Sequence, residues 1–236
     1  MKKIFVALLA AALILMLCGN CDNTPSSFSA ILHDSSNDFL ASSDFLEFPI
    51  GRESISVMCP GFEREGSDCT EINALLTATL YDYFTKLYGE DLNNQTIHVE
   101  YDIKFLNNYL SSIVFYGMSH AQSAAHPTNI MFSVNLLMKE LQIVRFSDII
   151  VINDEFVQKF VGCWKEQNPK EIAEYIDDFS MDELTELLKG DDVYCYFSNN
   201  KIGVIMEVPH AIGDAISATI PLQQISSNLK AFPAKV

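Results

Sequence analysis

Residues 96–116 read TIHVEYDIKFLNNYLSSIVFY, and this stretch predicts a β-hairpin at the centre of the fold. Apolar and polar side chains alternate from Thr96 to Phe105, which is the pattern of a strand with one buried face. Asn107-Asn108 is a turn signal, and the apolar run from Leu110 to Tyr116 is the returning strand. The central part of the chain is therefore predicted to be antiparallel sheet.

The segments on either side of this hairpin add helices and strands in blocks. Apolar residues recur at spacings of three and four between Ile72 and Phe84, which predicts a helix capped by Asp68 or Thr70 and ended by Gly89. Further elements follow the hairpin: strands at 130–136 and 141–144, helices from Asn153 and from the capping box at Ser180, a second hairpin over 193–208 and a last strand at 215–220. Because strands and helices do not alternate strictly, we predict an α+β fold. Its sheet is mostly antiparallel, its helices pack on one side, and its two halves are coupled.

The beginning of the chain has the features of an export signal. Lys2 and Lys3 precede an unbroken apolar run, Ile4 to Leu17, and small and polar residues follow it. We interpret residues 1–21 as a secretory signal peptide. The run is shorter than the roughly 20 apolar residues that a spanning helix needs, although an anchor that is never cut is the alternative. The chain is expected to be exported.

Two cysteines at the end of this signal suggest lipidation. Bacterial lipoproteins are cut just before a lipidated cysteine, and both Cys18 and Cys21 stand near such a position, with Cys21 favoured. A chain acylated there would be anchored to the outer face of the membrane, and one without a lipid would be secreted. Residues 22–44 are rich in Ser, Asn and Asp, and we predict that they form a polar tether.

Composition limits the class of partner. The 236 residues are 49% hydrophobic and carry a formal net charge of −16, so the chain is globular and acidic. Such a charge repels nucleic acid and anionic lipid headgroups. It favours a cationic partner, or it serves solubility alone.

Four cysteines lie beyond the signal, at positions 59, 69, 163 and 195. An even number in an exported chain permits disulfides, and four cysteines allow three pairings. We predict the local pair Cys59–Cys69, which would close a short polar loop and leave Cys163 and Cys195 to pair with each other. No CxxC unit occurs among them, so a zinc ribbon or a thioredoxin-like site has little support.

Familiar catalytic motifs are missing from the sequence. The chain has no P-loop, GxGxxG, GxSxG or HExxH pattern, and no cofactor is expected. A metal site would need His120, His126 and His210 to converge, which requires the last hairpin to fold onto the loop around His126. No metal site and no catalytic residue is therefore assigned.

Several motifs together resemble a known family. They are Tyr116-Gly117 followed by AAHPT at 124–128, LQIVRFSDII at 141–150, VYCYF at 193–197 with IGVI at 202–205, PHAIG at 209–213 and ATIPL at 218–222. Their order and spacing resemble the extracytoplasmic domain of lysozyme-sensing anti-sigma factors related to sigma-V. The same domain precedes the catalytic part of some peptidoglycan deacetylases. Ala124 stands where that family has glycine, and His210 stands where it has tyrosine.

The resemblance covers roughly residues 45 to 225 and implies a division of the chain. It implies a deacetylase-associated half at 45–117 and an anti-sigma-factor-like domain at 118–236, with no deacetylase domain after residue 225. The motifs around His126 and His210 are expected to meet in space. We further expect the strand at 215–220 to pair in the sheet that carries 130–136.

The favoured function is therefore a non-enzymatic extracytoplasmic binding module. Its expected ligand is a cell-envelope polymer such as peptidoglycan, or a basic protein such as lysozyme. Tyr116, His120, His126 and His210 are the candidate ligand-binding residues. The alternative is an envelope-modifying hydrolase or deacetylase with an unrecognised site, and it requires a cleft that joins His126, His210 and a carboxylate.

Overall fold

The computed structural model describes residues 27–46, 54–198 and 200–231. The predicted signal peptide at 1–21 and the predicted lipidation site at Cys21 lie outside these residues. In the described part of the chain, no helix is long and apolar enough to cross a bilayer.

Nine strands form two sheets within the described residues. The large sheet has the strand order β1 to β6, and its strands are Phe39–Phe45, Ile55–Arg64, Gln95–Leu106, Leu110–Ala121, Thr128–Leu137 and Gln142–Val144. The small sheet contains β7 (Tyr194–Ser198), β8 (Lys201–Glu207) and β9 (Ala215–Pro221). All paired strands are antiparallel except β2 and β3.

Six α-helices accompany these sheets in the described residues, and short 3-10 turns join several of the elements. The helices are α1 (Phe28–His33), α2 (Thr70–Tyr88), α3 (Phe146–Ile149), α4 (Asp154–Gln167), α5 (Lys170–Tyr175) and α6 (Met181–Leu188). The predicted helix ends are confirmed at Gly89, which has a φ of 52°, and at the Ser180–Glu183 capping box. The predicted α+β class with a mostly antiparallel sheet is confirmed.

Two apolar cores hold these layers together. In the first core, helix α2 packs Ile72, Leu76, Leu80 and Phe84 against one face of the large sheet. These residues recur at helical spacing, so they bury one face of α2 away from water. The second core lies between the small sheet and helices α1 and α3–α6, and it includes Trp164.

Buried hydrogen bonds fasten β7 to the other face of the large sheet. Asn135 Nδ2 and Ser133 Oγ both donate to the carbonyl oxygen of Cys195, and the first of these bonds is 2.7 Å long. Ser112 Oγ donates to Asn135 Oδ1 at 2.7 Å and accepts the backbone N–H of Phe197 at 2.9 Å. Side chains of one sheet thus satisfy the backbone of an edge strand in the other, which a buried backbone requires.

The predicted tether at 22–44 is wrong from residue 27 onward. Ser27 caps helix α1, in which Phe28 and Ile31 are fully buried. Asn107 Nδ2 from the first hairpin turn donates to the carbonyl of Ile31 at 2.8 Å. The segment then continues as β1 in the large sheet. The segment was taken for a tether because it contains few apolar residues. A short helix needs only a few to pack, and here a distant turn supplies the hydrogen bond at its C-terminal end.

The predicted division between residues 117 and 118 is also wrong. Both residues lie inside β4, which pairs with β3 and β5 across this point. The strand is longer than its apolar run suggested, because its second half faces solvent on one side. The described residues therefore share one large sheet on both sides of that position.

The last strand does not join the large sheet as predicted. β9 pairs with β8 in the small sheet, whereas residues 130–136 belong to β5 of the large sheet. The reason is local: a tight turn at His210–Ile212 returns the chain directly along β8.

The predicted Cys59–Cys69 disulfide is absent, since all four cysteines of the described residues are free thiols. The segment expected to form a closed loop is strand as far as Arg64, and it extends at about 3.3 Å per residue away from Cys59. Burial raises the pKa of the Cys59 thiol to about 12, and Asp44 adds to that shift. Burial likewise raises the pKa of the Cys195 thiol to about 12. Neither thiol is activated as a nucleophile.

Candidate functional site

The site lies on the part of the large sheet that the small sheet leaves uncovered. Ser112 and Val114 of β4 are buried beneath β7, but the same face of the strand then continues with Tyr116, Met118 and His120. These three side chains are exposed. We call this surface the open face and define it by Tyr116, Met118 and His120 of β4 together with Asn129 and Met131 of β5.

The strand register fixes the neighbours of each residue on the open face. Tyr116 lies between Glu100 of β3 and Met131 of β5, and Met118 lies between His98 and Asn129. Tyr116 and Met118 are 40% and 49% exposed, which is unusual for large apolar side chains in the middle of a sheet. His98 Nε2 is 3.5 Å from Glu100 Oε1, so a small polar border flanks the apolar stripe.

Gly117 allows β3 and β4 to approach closely beneath the open face. A Cβ atom at this position would lie 2.0 Å from the carbonyl oxygen of His98 and 2.7 Å from the Cα of Val99. Both of these atoms belong to the backbone, so a rotamer change cannot relieve the collision.

We expect Gly117→Ala to lower the free energy of unfolding by about 1–3 kcal/mol, because the strand must shift to admit a methyl group. Urea denaturation followed by circular dichroism measures the change. Gly162→Ala is the matched control, since a Cβ at Gly162 in helix α4 meets nothing within 4 Å. It should raise stability by about 0.5–1 kcal/mol. Equal effects at the two positions would contradict the assigned role of Gly117.

The two predicted histidine motifs do meet in space. The ring centroids of His126 and His210 are 6.4 Å apart with an interplanar angle of 24°, which confirms the expected proximity. His126 belongs to the loop between β4 and β5, and His210 to the turn between β8 and β9. Asn129 Nδ2 also donates to the carbonyl of Gly213 at 3.3 Å, so the turn between β8 and β9 is held beside the start of β5.

Asp214 connects this pair of histidines to the open face. Its Oδ1 is 2.7 Å from His210 Nδ1, and its Oδ2 accepts the backbone N–H of Asn129 at 2.8 Å. The Asp214 side chain is only 9% exposed, and its backbone adopts the left-handed φ of 67° after Gly213. The carboxylate therefore orients one imidazole and pins the start of β5 at the same time.

His120 has a local role in shaping the loop between β4 and β5. Its Nε2 lies 3.1 Å from the carbonyl oxygen of Ala124, and the N–H of Ala124 donates to Ala121 at 3.0 Å. These contacts hold the small-residue loop that carries His126. Of the four predicted site residues, the structure therefore brings His126 and His210 into contact, whereas Tyr116 and His120 lie on one face of β4.

Sequence reasoning missed three residues of this region. Met118 follows Tyr116 at a spacing of two, and that alternation could have revealed it as a member of the same face. Asn129 and Asp214 carried no such signal, because their link joins positions that are 85 residues apart. In the described residues, no group of three or more His, Cys, Asp or Glu side chains is arranged to hold a metal ion.

A separate cleft of about 390 Å³ lies between α2 and β7, away from the predicted site. Tyr83 stacks on Phe132 at 3.6 Å and meets Tyr194 edge-on, so aromatic rings form its floor. Burial raises the pKa of Tyr194 to about 12. At its rim, Lys86 forms an ion pair with Asp192 and Arg145 forms one with Asp191.

Comparison with known proteins finds similar solved structures. No family model and no curated protein matches the chain. Among the solved structures similar to it are two members of the DUF3298 family. A DUF3298 family protein from Pseudomonas aeruginosa PAO1 has a TM-score of 0.48 and 11% identity, and the match covers 84% of this chain and 96% of that one. A DUF3298 member from Bacteroides fragilis has a TM-score of 0.48 and 12% identity, with coverages of 82% and 92%.

Proposed function

We propose that this protein is a non-enzymatic binding module that acts outside the cytoplasm, either secreted or held at the outer face of the membrane by its signal or a lipid. Its ligand would be a basic protein such as lysozyme, or a cell-envelope polymer such as peptidoglycan. The observation that carries the proposal is the open face, where Tyr116 and Met118 are exposed and Asn129 is bonded to Asp214, the partner of His210.

The chemistry of the open face suits macromolecular contact. Tyrosine and methionine are enriched at the cores of protein interfaces, where they contribute large contact areas. Methionine also adapts to irregular partner surfaces. The polar border from Glu100 and His98 resembles the rim that surrounds such a core.

The charge of the chain favours a basic partner over a neutral one. A net charge of −16 raises the rate of encounter with a cationic protein through long-range attraction. That attraction is screened within about 10 Å at 0.1 M salt. Contacts at the open face would then have to supply the short-range specificity.

Binding of the full chain to a basic lysozyme, measured by titration calorimetry, tests the proposal. Tyr116→Ala is expected to weaken binding about tenfold or more, as removal of a central aromatic anchor does. Met118→Ala should weaken it as well. Met181→Ala is the matched control, because Met181 is 36% exposed but lies on helix α6 outside the open face.

The outcomes separate the two ligand classes. Sedimentation with purified peptidoglycan, at low and at moderate salt, identifies the polymer as the ligand if lysozyme does not bind. Absence of binding to both would overturn the proposal. Equal losses from Met118→Ala and Met181→Ala would remove the open face as the binding surface.

One observation favours the enzymatic alternative. His210 is oriented by the Asp214 carboxylate at 2.7 Å, which is the arrangement of a general base, and His126 lies beside it. A hydrolase or deacetylase built on this pair would release reducing sugars or acetate from peptidoglycan. Asp214→Asn would abolish that release, whereas binding alone would produce no release from the unchanged chain.

A further inference from the structure

The outer strands of the two sheets differ in whether their outward backbone groups are hydrogen-bonded. At β7, the carbonyl of Cys195 and the N–H of Phe197 are bound by side chains of the large sheet. At β9, the amide group of Gln167 donates to the carbonyl of Thr219 at 2.7 Å and accepts its N–H at 2.9 Å. Gln167 thus imitates a neighbouring strand. Natural sheets cover or cap their edges in such ways, because an open edge can recruit another chain.

Strand β1 is an edge without such capping over most of its length. Leu46 N–H donates to the carbonyl of Val57, so the alternation of an antiparallel ladder directs Leu40, Ser42 and Asp44 toward β2 as well. The backbone groups of Ala41, Ser43 and Phe45 consequently point to the open side. Within the described residues, no hydrogen bond to these outward groups is found, and only the N–H of Phe39 is capped, by Asn37.

The side chains of β1 are exposed to an unusual degree. All residues from Leu40 to Phe45 are exposed. Leu40 and Phe45 are 71% and 65% exposed, the highest values among the large apolar side chains that the structure describes. β1 contains no lysine and no proline, the residues that often protect an edge.

We infer that the open edge of β1 is a second interaction surface, which takes an extended, positively charged peptide segment of a partner as an added antiparallel strand. Such strand addition gives backbone hydrogen bonds for affinity and side-chain pairing for specificity. The incoming strand would bond to Ala41, Ser43 and Phe45 and would place side chains directly opposite Leu40 and Asp44. This inference does not depend on the open face.

Charge decides between a basic peptide and a second copy of this chain. Asp44 is exposed, and the only charged residue of β1 is acidic. A second copy would bring another such strand and another net charge of −16 to the edge. An incoming lysine opposite Asp44 would instead form a favourable cross-strand pair, and an apolar residue four positions later would cover Leu40.

A synthetic peptide tests the inference on the full chain. The probe is fluorescein-labelled Val-Lys-Thr-Val-Thr-Leu-Val with blocked ends, which places its lysine opposite Asp44 and its leucine opposite Leu40. Fluorescence anisotropy is expected to show saturable binding. Methylation of the two threonine nitrogens, which would face β1, should abolish binding, and replacement of the lysine by glutamate should weaken it about threefold.

Ser43→Pro is the decisive variant of the protein. Proline removes the outward N–H of Ser43 but leaves the bonds between β1 and β2 in place, as proline does on edge strands. It is expected to weaken peptide binding about tenfold or more. Ser43→Thr keeps that N–H and should bind like the unchanged chain. Circular dichroism establishes that both variants are folded.

Three results would overturn the inference. The first is failure of the unchanged chain to bind the probe. The second is a folded Ser43→Pro chain that binds the probe unchanged. The third is a dimer in analytical ultracentrifugation that Ser43→Pro converts to monomer, since a second copy would then be the occupant of the edge.

Discussion

Trp164→Ala is expected to lower the free energy of unfolding by about 3–5 kcal/mol, the usual cost of deleting a buried indole. Trp164 is fully buried in the second core, and its ring centroid lies 5.7 Å from that of Phe160. Its Nε1 donates to the carbonyl of Ile172 at 3.0 Å, which ties α5 to α4. The substitution opens a cavity and leaves that carbonyl without its donor. Denaturation followed by far-ultraviolet circular dichroism measures the loss, because the chain has no other tryptophan to report fluorescence.

Trp164→Phe separates the two contributions. Phenylalanine fills much of the space but cannot donate to Ile172, so a loss of about 1–2 kcal/mol is expected from the hydrogen bond and the residual gap. If alanine and phenylalanine cost the same, the hydrogen bond rather than the packing of the indole would dominate. A stability loss below that of Gly117→Ala would contradict the central place of Trp164 in the second core.

Asn135→Leu is expected to cost about 2–4 kcal/mol, although leucine has a similar size and is more apolar. Asn135 is 3% exposed and connects Ser112 to the carbonyl of Cys195. Leucine would leave the Ser112 hydroxyl without its acceptor and would weaken the bonding of the Cys195 carbonyl. Each buried group left unpaired costs about 1–3 kcal/mol. Tryptophan fluorescence in a urea titration reports the change.

Ser133→Ala is the control for this network. It removes one of the two donors to the carbonyl of Cys195 and leaves Asn135 in place, so a loss near 1 kcal/mol is expected. An Asn135→Leu chain as stable as the unchanged protein would show that the bonds of Asn135 contribute nothing to the contact between the two sheets.

The sequence predicted those parts of the fold whose signals are local. Both hairpins, helix α2 and the capping box at Ser180 depend on alternation, helical spacing or capping within a few residues. Residues 27–44 were mistaken for a tether because their folding depends on pairing with β2 and on Asn107, which bonds to Ile31 from 76 positions away. The disulfide was expected because residues 60–68 were taken for a short polar loop, whereas strand β2 continues through them as far as Arg64.

For the candidate site too, residues with a local sequence signal were predicted, and residues placed by long-range contacts were not. Tyr116, His126 and His210 were proposed from their motifs, and the structure places the two histidines in contact. Asp214 could not be found in this way, because its bond to Asn129 joins positions 85 residues apart and its own conformation is a left-handed turn. The packing of the small sheet against the large one is a long-range property, and no window of neighbouring residues encodes it.

Strands β4 and β5 contribute to both apolar cores, and this arrangement bears on how the protein can melt and evolve. Leu110 and Leu137 belong to the second core, whereas Ile113 and Phe132 belong to the first. Loss of either core would expose the back of the same two strands, so the loss of one core undermines the other. Neither half of the chain is therefore expected to stay folded if recombination transfers it alone to another protein.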